Sequence, residues 1–340
     1  MVLGLSAIAT LYLQSDRPFP GVSTDDLTCV SNESIPKGKA VQVPGDSISK
    51  NITTQGEWFV DRTGRAMILH GINVSGSTKV PYSPRLGTHT KEGFYETVYT
   101  ASFTGRPFPL SEADEHFGRL HRWGYRFVRL LVTWEAIEHA GPAKYDEEYL
   151  DYVVALVKKA GEHDINVFID PHQDVWSRFS GGDGAPYWTL EKVGFDPLKF
   201  SETGAAIIHN VEGDPFPKMI WPTNYSKLAA ATMFTLFFGG NDFAPDTRVD
   251  SLSAQEFLQR HYIQAIVQLA QRLKGLPNVI GFDTLNEPSA GYIGNGNLEG
   301  FGILVNGIMP TPFQGMMAGA GHAVEVGEYE FAVTGPREVR

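Results

Sequence analysis

Ile280-Gly-Phe-Asp-Thr-Leu-Asn-Glu-Pro288 decides how this chain folds. An apolar run with the character of a short strand ends in Asn286-Glu287-Pro288. A long helical pattern and Pro277 precede it. A helix therefore feeds a buried strand, and the strand delivers a carboxylic acid at its C-terminal tip. In a parallel α/β barrel that tip is where reacting side chains are placed. Pro288 has no N–H and ends the strand pairing, while Asn286 sets an amide beside the acid. The tripeptide alone also reads as a plain turn with a solvated Glu287, so the remainder of the chain decides.

Working outward, the same alternation recurs. Asn166-Val-Phe-Ile-Asp170 reads as a strand and ends in Pro171-His172-Gln173-Asp174. Residues 125–134 are nearly all apolar around Arg126 and Arg129, as suits a parallel strand buried on both faces. Residues 57–60 and 65–70 read as a hairpin with Gly64 in its turn. Its second strand runs on into Gly71-Ile-Asn-Val74, the first strand of the set. Helical patterns lie between. Ser111 and Asp114 have capping-box spacing, with Ala113, Phe117 and Leu120 on one face and Gly124 as the stop. Asp146, Glu147 and Glu148 open a helix striped by Leu150, Val153, Val154 and Val157. Lys158 and Lys159 close it, with Gly161 as its cap. Ser253 and Glu256 start another, striped by Tyr262, Ile266, Leu269 and Leu273 up to Gly275. This strand–helix order argues for a parallel sheet under outer helices. A Rossmann sheet needs a Gly-rich phosphate loop after its first strand, and Gly71-Ile-Asn-Val-Ser-Gly76 lacks that spacing. The expected fold class is α/β, of the TIM-barrel kind.

Residues 14–54 are rich in Ser, Asp, Pro and Gly with little periodicity, so 1–54 is expected to be a flexible N-terminal extension and 55–340 the folded part. Residues 2–13 have the length of a signal-peptide core but lack a basic start and a clean cleavage site. No apolar run approaches the ~20 residues that span a bilayer. Residues 175–250 read as a long insertion holding Trp176, Phe179, Tyr187, Trp188, Phe195, Phe200, Phe216, Trp221 and Tyr225, with a short helix at 228–238. An insertion this long in a folded domain is usually functional. The tail, 289–340, is Gly-rich and weakly periodic.

The net charge is −11, from 28 basic and 39 acidic side chains, which argues against a nucleic-acid partner, since that needs a basic face. Cys29 is the single cysteine, so no internal disulfide framework forms. This favours an intracellular setting, cytoplasm or vacuole, with secretion as the other reading. Asn-x-Ser/Thr sequons at Asn32, Asn51, Asn73 and Asn224 matter only in the secreted case.

The positions that carry chemistry are strand ends. Arg129 lies within the second parallel strand, His172 and Asp174 follow the third, and Asn286 and Glu287 follow the fourth. In a parallel barrel these converge on one mouth. A neutral His beside an Asp orients a hydroxyl, and an Asn beside a Glu binds a hydroxyl while the Glu moves a proton. A sugar needs such groups, with flat aromatics against its apolar face. Each residue also has a plainer reading. Arg129 reads as the partner of a buried carboxylate, His172 as a satisfied core histidine, Asp174 as a turn cap and Lys79 as a surface lysine. Glu135 and Glu138 read as helix-start or surface acids. The ten histidines show no ligand-spaced pair, so no metal is expected. Neither a P-loop nor a G-x-S-x-G elbow is present.

Three motifs carry a resemblance: Phe127-Val-Arg-Leu-Leu-Val-Thr-Trp134, Asp170-Pro-His-Gln-Asp174 and Asp283-Thr-Leu-Asn-Glu-Pro288. The loop Gly71-Ile-Asn-Val-Ser-Gly-Ser-Thr-Lys-Val-Pro81 adds to it. From about Trp58 onward the chain resembles glycoside hydrolase family 5, in clan A of the (β/α)8 hydrolases. It is more similar to the fungal endoglycoceramidase-related branch of steryl-β-glucosidases and glucocerebrosidases. The Asn-Glu-Pro ending is common in the clan, and the His-Gln-Asp segment with the lysine loop is more specific. The resemblance implies a retaining β-glucosidase without a cofactor, acting on a glycolipid such as a steryl β-glucoside or glucosylceramide, with peripheral contact to membrane lipid. It implies Glu287 as acid/base, Asn286 on the sugar 2-hydroxyl, Arg129 supporting the nucleophile, and His172, Asp174 and Lys79 as sugar-binding positions. The aromatics of 175–250 are then expected to wall the mouth and contact the aglycone. An endo-β-glucanase on polysaccharide, or an inactive sugar- or lipid-binding remnant, are the other readings.

One departure stands out. The family places its nucleophilic glutamate at the tip of a seventh strand, and 53 residues follow Glu287. Glu299, Glu325, Glu328 and Glu330 occur there, but none follows a run that reads as that strand. The expectation is a partial barrel of the first four strand–helix units, with its nucleophile unknown. A smaller fold with its own second acid is the alternative.

Overall fold

Two seven-residue strands, buried along almost their whole length, anchor the parallel sheet. The computed structural model describes residues 52–75, 77–301, 305–332 and 335–340, all within the unit Asp46–Arg340. The extension up to residue 51, with the signal-peptide reading, Cys29, Asn32 and Asn51, lies outside the described residues. The sheet runs in the order β1 (Gly71–Val74), β2 (Phe127–Thr133), β3 (Asn166–His172), β4 (Val279–Phe282), every neighbour parallel. β2 and β3 pair in register from Phe127↔Asn166 to Thr133↔His172. This aligns their C-terminal ends and carries Arg129 and His172 towards one edge.

The helices follow from their caps and stripes. α1 (Ala113–Arg122) ends before Gly124, whose φ of +88° suits a residue without a side chain. The Ser111/Asp114 capping box does not form. A 3-10 turn, Leu110–Glu112, enters the helix instead, and Asp114 turns out to Lys159 and His163. α2 (Trp134–Glu138) leaves β2 directly, with the Thr133 hydroxyl accepting from Ala136 N. α3 (Glu147–Glu162) is capped by Asp146. Its Leu150, Val153, Leu156, Val157 and Ala160 bury against β2 and β3 in the main core. Gly161 lies inside this helix rather than after it.

The segment 175–250 is not a loop. It folds into short helices at Tyr187–Lys192 and His209–Glu212 and then α4 (Leu228–Phe243), kinked at Gly239. Five of its nine aromatics, Trp176, Phe179, Tyr187, Trp188 and Phe200, are core residues. That narrows the expectation of an aromatic wall to the rings not buried in this core. The buried rings pack edge-to-face on one another and on Trp134 and Phe234, so they are spent on folding the segment onto the sheet. α5 (Ala254–Leu273) has the expected Ser253/Glu256 capping box and leads into β4.

At both ends of the described residues there is more order than composition suggests. Thr53–Gln55 pairs antiparallel with Trp58–Val60, which pairs with Ala66–Met67. In the tail, Gly307–Ile308, Glu328–Ala332 and Gly335–Glu338 form an antiparallel sheet. Pro312–Gly319 is a helix with a Thr311/Gln314 capping box. No helix among the described residues is long and apolar enough to cross a membrane. The sequon residue Asn224 is buried. Its amide is bonded both ways to the Ile207 backbone, at 2.8 and 2.7 Å, so a glycan there is incompatible with the fold.

Candidate functional site

Asp170, fully buried near the end of β3, organises the charges. Arg129 Nη2 lies 2.8 Å from its Oδ1, and His172 Nδ1 lies 2.8 Å from its Oδ2. Arg129 reaches further, with Nε donating to Asp283 Oδ2 at 2.9 Å and Nη2 to Asn286 Oδ1 at 3.0 Å. Its pairing with a buried carboxylate, one of the readings of the sequence, is therefore present. The expected strand 279–285 stops at Phe282, beyond which pairing with β3 continues only in part. Asp283 N and Asn286 N still donate to Ile169 O and Pro171 O, at 2.8 and 3.0 Å.

A second cluster adjoins. Lys79 is bonded to Asp174 Oδ2 and lies 3.4 Å from Asp183 Oδ2. His172 Nε2 is 3.4 Å from Asp174 Oδ2. Burial acts to lower the His172 pKa, but its bonds to Asp170 and Asp174 and the charge of Asp183 outweigh burial and raise it to about 9. The histidine is therefore a cation at neutral pH, not the neutral orienting group expected from sequence. Its Nε2 then has no lone pair for Asn286 Nδ2, which lies 3.4 Å away and donates instead to Gln173 O at 3.1 Å. Burial likewise works against the Lys79 charge, and Asp183 and Asp174 overcome it, holding the ammonium above its usual range. Burial pushes Asp183 up. Asp174, despite burial, is held down by His172 and Lys79.

A raised histidine pKa stabilises the fold below its unfolded value of 6.5, and that stability is lost as pH rises through about 9. Urea unfolding from pH 6.5 to 9 is expected to show a loss from His172 on the order of 2–3 kcal/mol on top of that from the buried Asp183, whose raised pKa acts in the same direction, so the slope is expected to be shallower in His172→Gln. An equal slope in the variant would remove His172 as its source.

Asp183 was not singled out from sequence. Three glycines surround it in Gly181-Gly-Asp-Gly184. A side chain on Gly182 would sit 1.8 Å from Asp174 O, and one on Gly184 would sit 2.4 Å from Gln173 Cβ. The glycines let this backbone lie against Asp174, where residues 174 and 183 exchange hydrogen bonds of 3.1 and 2.8 Å. Ligand atoms of His172, Asp174 and Asp183 fall within 4.8 Å of one another, a group able to hold a metal ion. The Lys79 ammonium already supplies the cation between the two aspartates, so the donor set does not fit a resident metal.

Glu287 is exposed and has a left-handed backbone, φ +39°. Gln173 Nε2 donates to the carbonyls of Asn286 and Glu287, which ties it to the same network. Lys79, Arg129, His172, Asp174 and Asn286 are thus joined directly, and Glu287 through its backbone. Tyr225, from the 175–250 segment, also comes close. Burial pushes its phenol up to about 12, and the charges of Asp174 and Glu287 act the same way. Beside His172 and Gln173 lies a small apolar pocket of about 20 Å³, walled by Trp134, Trp176, Phe237 and Tyr262. That is room for about one water molecule, far too little for a sterol or acyl chain.

Glu135 and Glu138 are buried, contrary to the surface reading. Glu135 pairs with Arg178 at 2.8 Å. Glu138 accepts from Trp134 Nε1 at 2.6 Å and lies 2.9 Å from His261 Nδ1. It therefore fixes an indole of the pocket wall.

A sequence profile described as cellulase (glycosyl hydrolase family 5) matches residues 89–297. The chain is 50% identical to the glucosylceramidase of Rhizopus delemar over 278 residues, 79% of this chain and 41% of that protein. It is 41% identical to the ergosteryl-beta-glucosidase of Saccharomyces cerevisiae over 307 residues, 82% of this chain and 40% of that protein. It matches the crystal structure of Cryptococcus neoformans sterylglucosidase 1 with tris at TM-score 0.79 and 40% identity, over 87% of this chain and 43% of that chain. The chain spans about two fifths of the length of these relatives.

Proposed function

Because the chain belongs to glycosyl hydrolase family 5, we propose that it carries the acid/base side of a retaining β-glucosidase site acting on glucosylated lipids. The observation that carries this reading is the placement of Glu287 just beyond β4, tied through Gln173 and Asn286 to the Arg129–Asp170–His172–Asp174–Lys79 network. The relatives named glucosylceramidase and ergosteryl-beta-glucosidase support the substrate class. We take the four parallel strands as the first four of a (β/α)8 barrel.

In this mechanism a carboxylate attacks the anomeric carbon while Glu287 protonates the departing aglycone oxygen. Glu287 then takes a proton from water, which attacks the same carbon and frees the carboxylate and glucose with retained configuration. The two carboxyl groups stand about 5 Å apart in such enzymes. Lys79, His172 and Asp174 offer charged partners to glucose hydroxyls, and Asn286 offers its Nδ2. The attacking carboxylate is not assigned. Among the described residues, Glu299, Glu325, Glu328 and Glu330 all lie outside the parallel sheet, and Glu330 is engaged with Arg337 and Lys218.

The aglycone is placed outside the small apolar pocket. Phe216, Trp221, Phe238 and Phe243, exposed on the 175–250 segment, are rings available to meet it or a membrane surface. An intracellular setting rests on the lone cysteine, and a glycan found on the exposed Asn73 would overturn it.

The test is glucose release by the natural protein from glucosylceramide, ergosteryl β-glucoside and cello-oligosaccharides. The lipid glucosides are expected to be preferred by at least about tenfold in kcat/KM. Preference for cello-oligosaccharides favours a polysaccharide enzyme, and sugar binding without turnover favours an inactive binding module.

A further inference from the structure

Gln173 lies between two sugar-site candidates and is 4% exposed. Each end of its amide is used. Nε2 donates to Asn286 O at 2.7 Å and to Glu287 O at 2.9 Å, and Oε1 accepts from Trp176 N at 2.9 Å. The carbonyls it holds belong to a stretch where regular pairing has ended, since the last ladder bond is Asn286 N to Pro171 O. Glu287 there has φ +39°. A residue with a side chain adopts that region at a cost and keeps it when its surroundings over-determine it.

We propose that Gln173 is a positioning residue for Glu287: its amide clamps the two carbonyls and thereby fixes the direction in which the Glu287 carboxyl leaves the backbone. This rests on the reading of Glu287 as the acid/base. Two carbonyls on one NH2 group fix the two peptide planes that flank the Glu287 Cα, and those planes set where its Cα–Cβ bond points. A one-ångström error in such a bond costs on the order of 100-fold in function. The plainer role, satisfying two carbonyls, would affect folding but would not discriminate between ligands.

The experiment measures binding, so turnover is not required. A glucose-fused imidazole presents a ring nitrogen that takes a proton from the acid in the plane of the sugar. 1-Deoxynojirimycin has the same hydroxyls and lacks that nitrogen. In the natural protein, Glu287→Gln is expected to weaken the imidazole about 100-fold and 1-deoxynojirimycin by no more than about threefold. Gln173→Glu keeps the acceptor for Trp176 N and loses the donor. It is expected to weaken the imidazole at least about tenfold with the same sparing of 1-deoxynojirimycin. Gln173→Asn, too short to reach both carbonyls, is the second variant should the first not fold, with melting temperature and 1-deoxynojirimycin affinity as folding controls. Imidazole affinity unchanged in the Gln173 variants, or both ligands lost equally, overturns the proposal. Imidazole affinity unchanged in Glu287→Gln overturns the acid/base reading itself, and so does failure of the unaltered protein to bind either ligand.

Discussion

Glu287→Gln in the natural protein is expected to divide substrates by their leaving group. An alkyl or steryl glucoside needs its oxygen protonated as the bond breaks, and removing the acid should slow it by about 10³–10⁴-fold. A 2,4-dinitrophenyl glucoside departs without that proton, so its first step should proceed almost unchanged. The variant should then stall as the glycosyl–enzyme, because Glu287 is also the base that activates water. Azide needs no base. It should attack the anomeric carbon, displace the enzyme carboxylate and restore turnover, with β-glucosyl azide as product. Equal losses on both substrates, with no azide product, would remove Glu287 from the acid/base role. Glu287 is exposed, and the cations Lys79, Arg129 and His172 are engaged by Asp170, Asp174 and Asp183.

The largest stability effect is expected at Arg129. Asp170 is fully buried, and Arg129 is one of its two cationic partners. Arg129→Met fills similar space but leaves that carboxylate facing His172 alone, and releases Asp283 and the Asn286 amide as well. Breaking a buried pair by removing one partner costs about 3–5 kcal/mol. Since His172 still faces Asp170, about 3 kcal/mol is expected, read as a fall in the urea midpoint. The double variant Arg129→Met/Asp170→Leu should recover part of the loss, because no buried charge is then unpaired. A single-variant loss under about 1 kcal/mol would show that water reaches Asp170 and that the pair adds little.

What was legible in the sequence follows from how local each cause is. β2 and β3 read clearly because burial on both faces leaves an unbroken apolar run, and α3 read clearly because its cap and stripe lie in one window. The 175–250 segment did not. Its aromatics are core residues by virtue of packing on one another and on Trp134, a contact between distant parts of the chain. Glu138 was misread for the same reason, since its partner His261 lies in α5. In the site, the strand-end residues named from sequence lie together because strand ends converge by topology alone. Asp183, Asp170 and Gln173 were not assigned roles, because those depend on how a loop closes. The three glycines around Asp183 were the available signal. The charge on His172 was illegible because it is a sum over Asp170, Asp174, Asp183 and Lys79.

The Gly181–Gly184 approach also bears on the order in which the molecule assembles. Residues 174 and 183 are close in sequence, so their bridge is a local loop closure that forms quickly and cheaply. By itself it brings two carboxylates together, which repel. Two cations offset them: His172, two residues before Asp174, and Lys79, 95 positions before it. On the ribosome the N-terminal side emerges first, so the lysine is already present when the aspartates appear. Synthesis in this direction supplies the distant counter-charge before the acidic loop. Refolding from denaturant has no such order, and there the local closure is expected to precede the distant lysine contact.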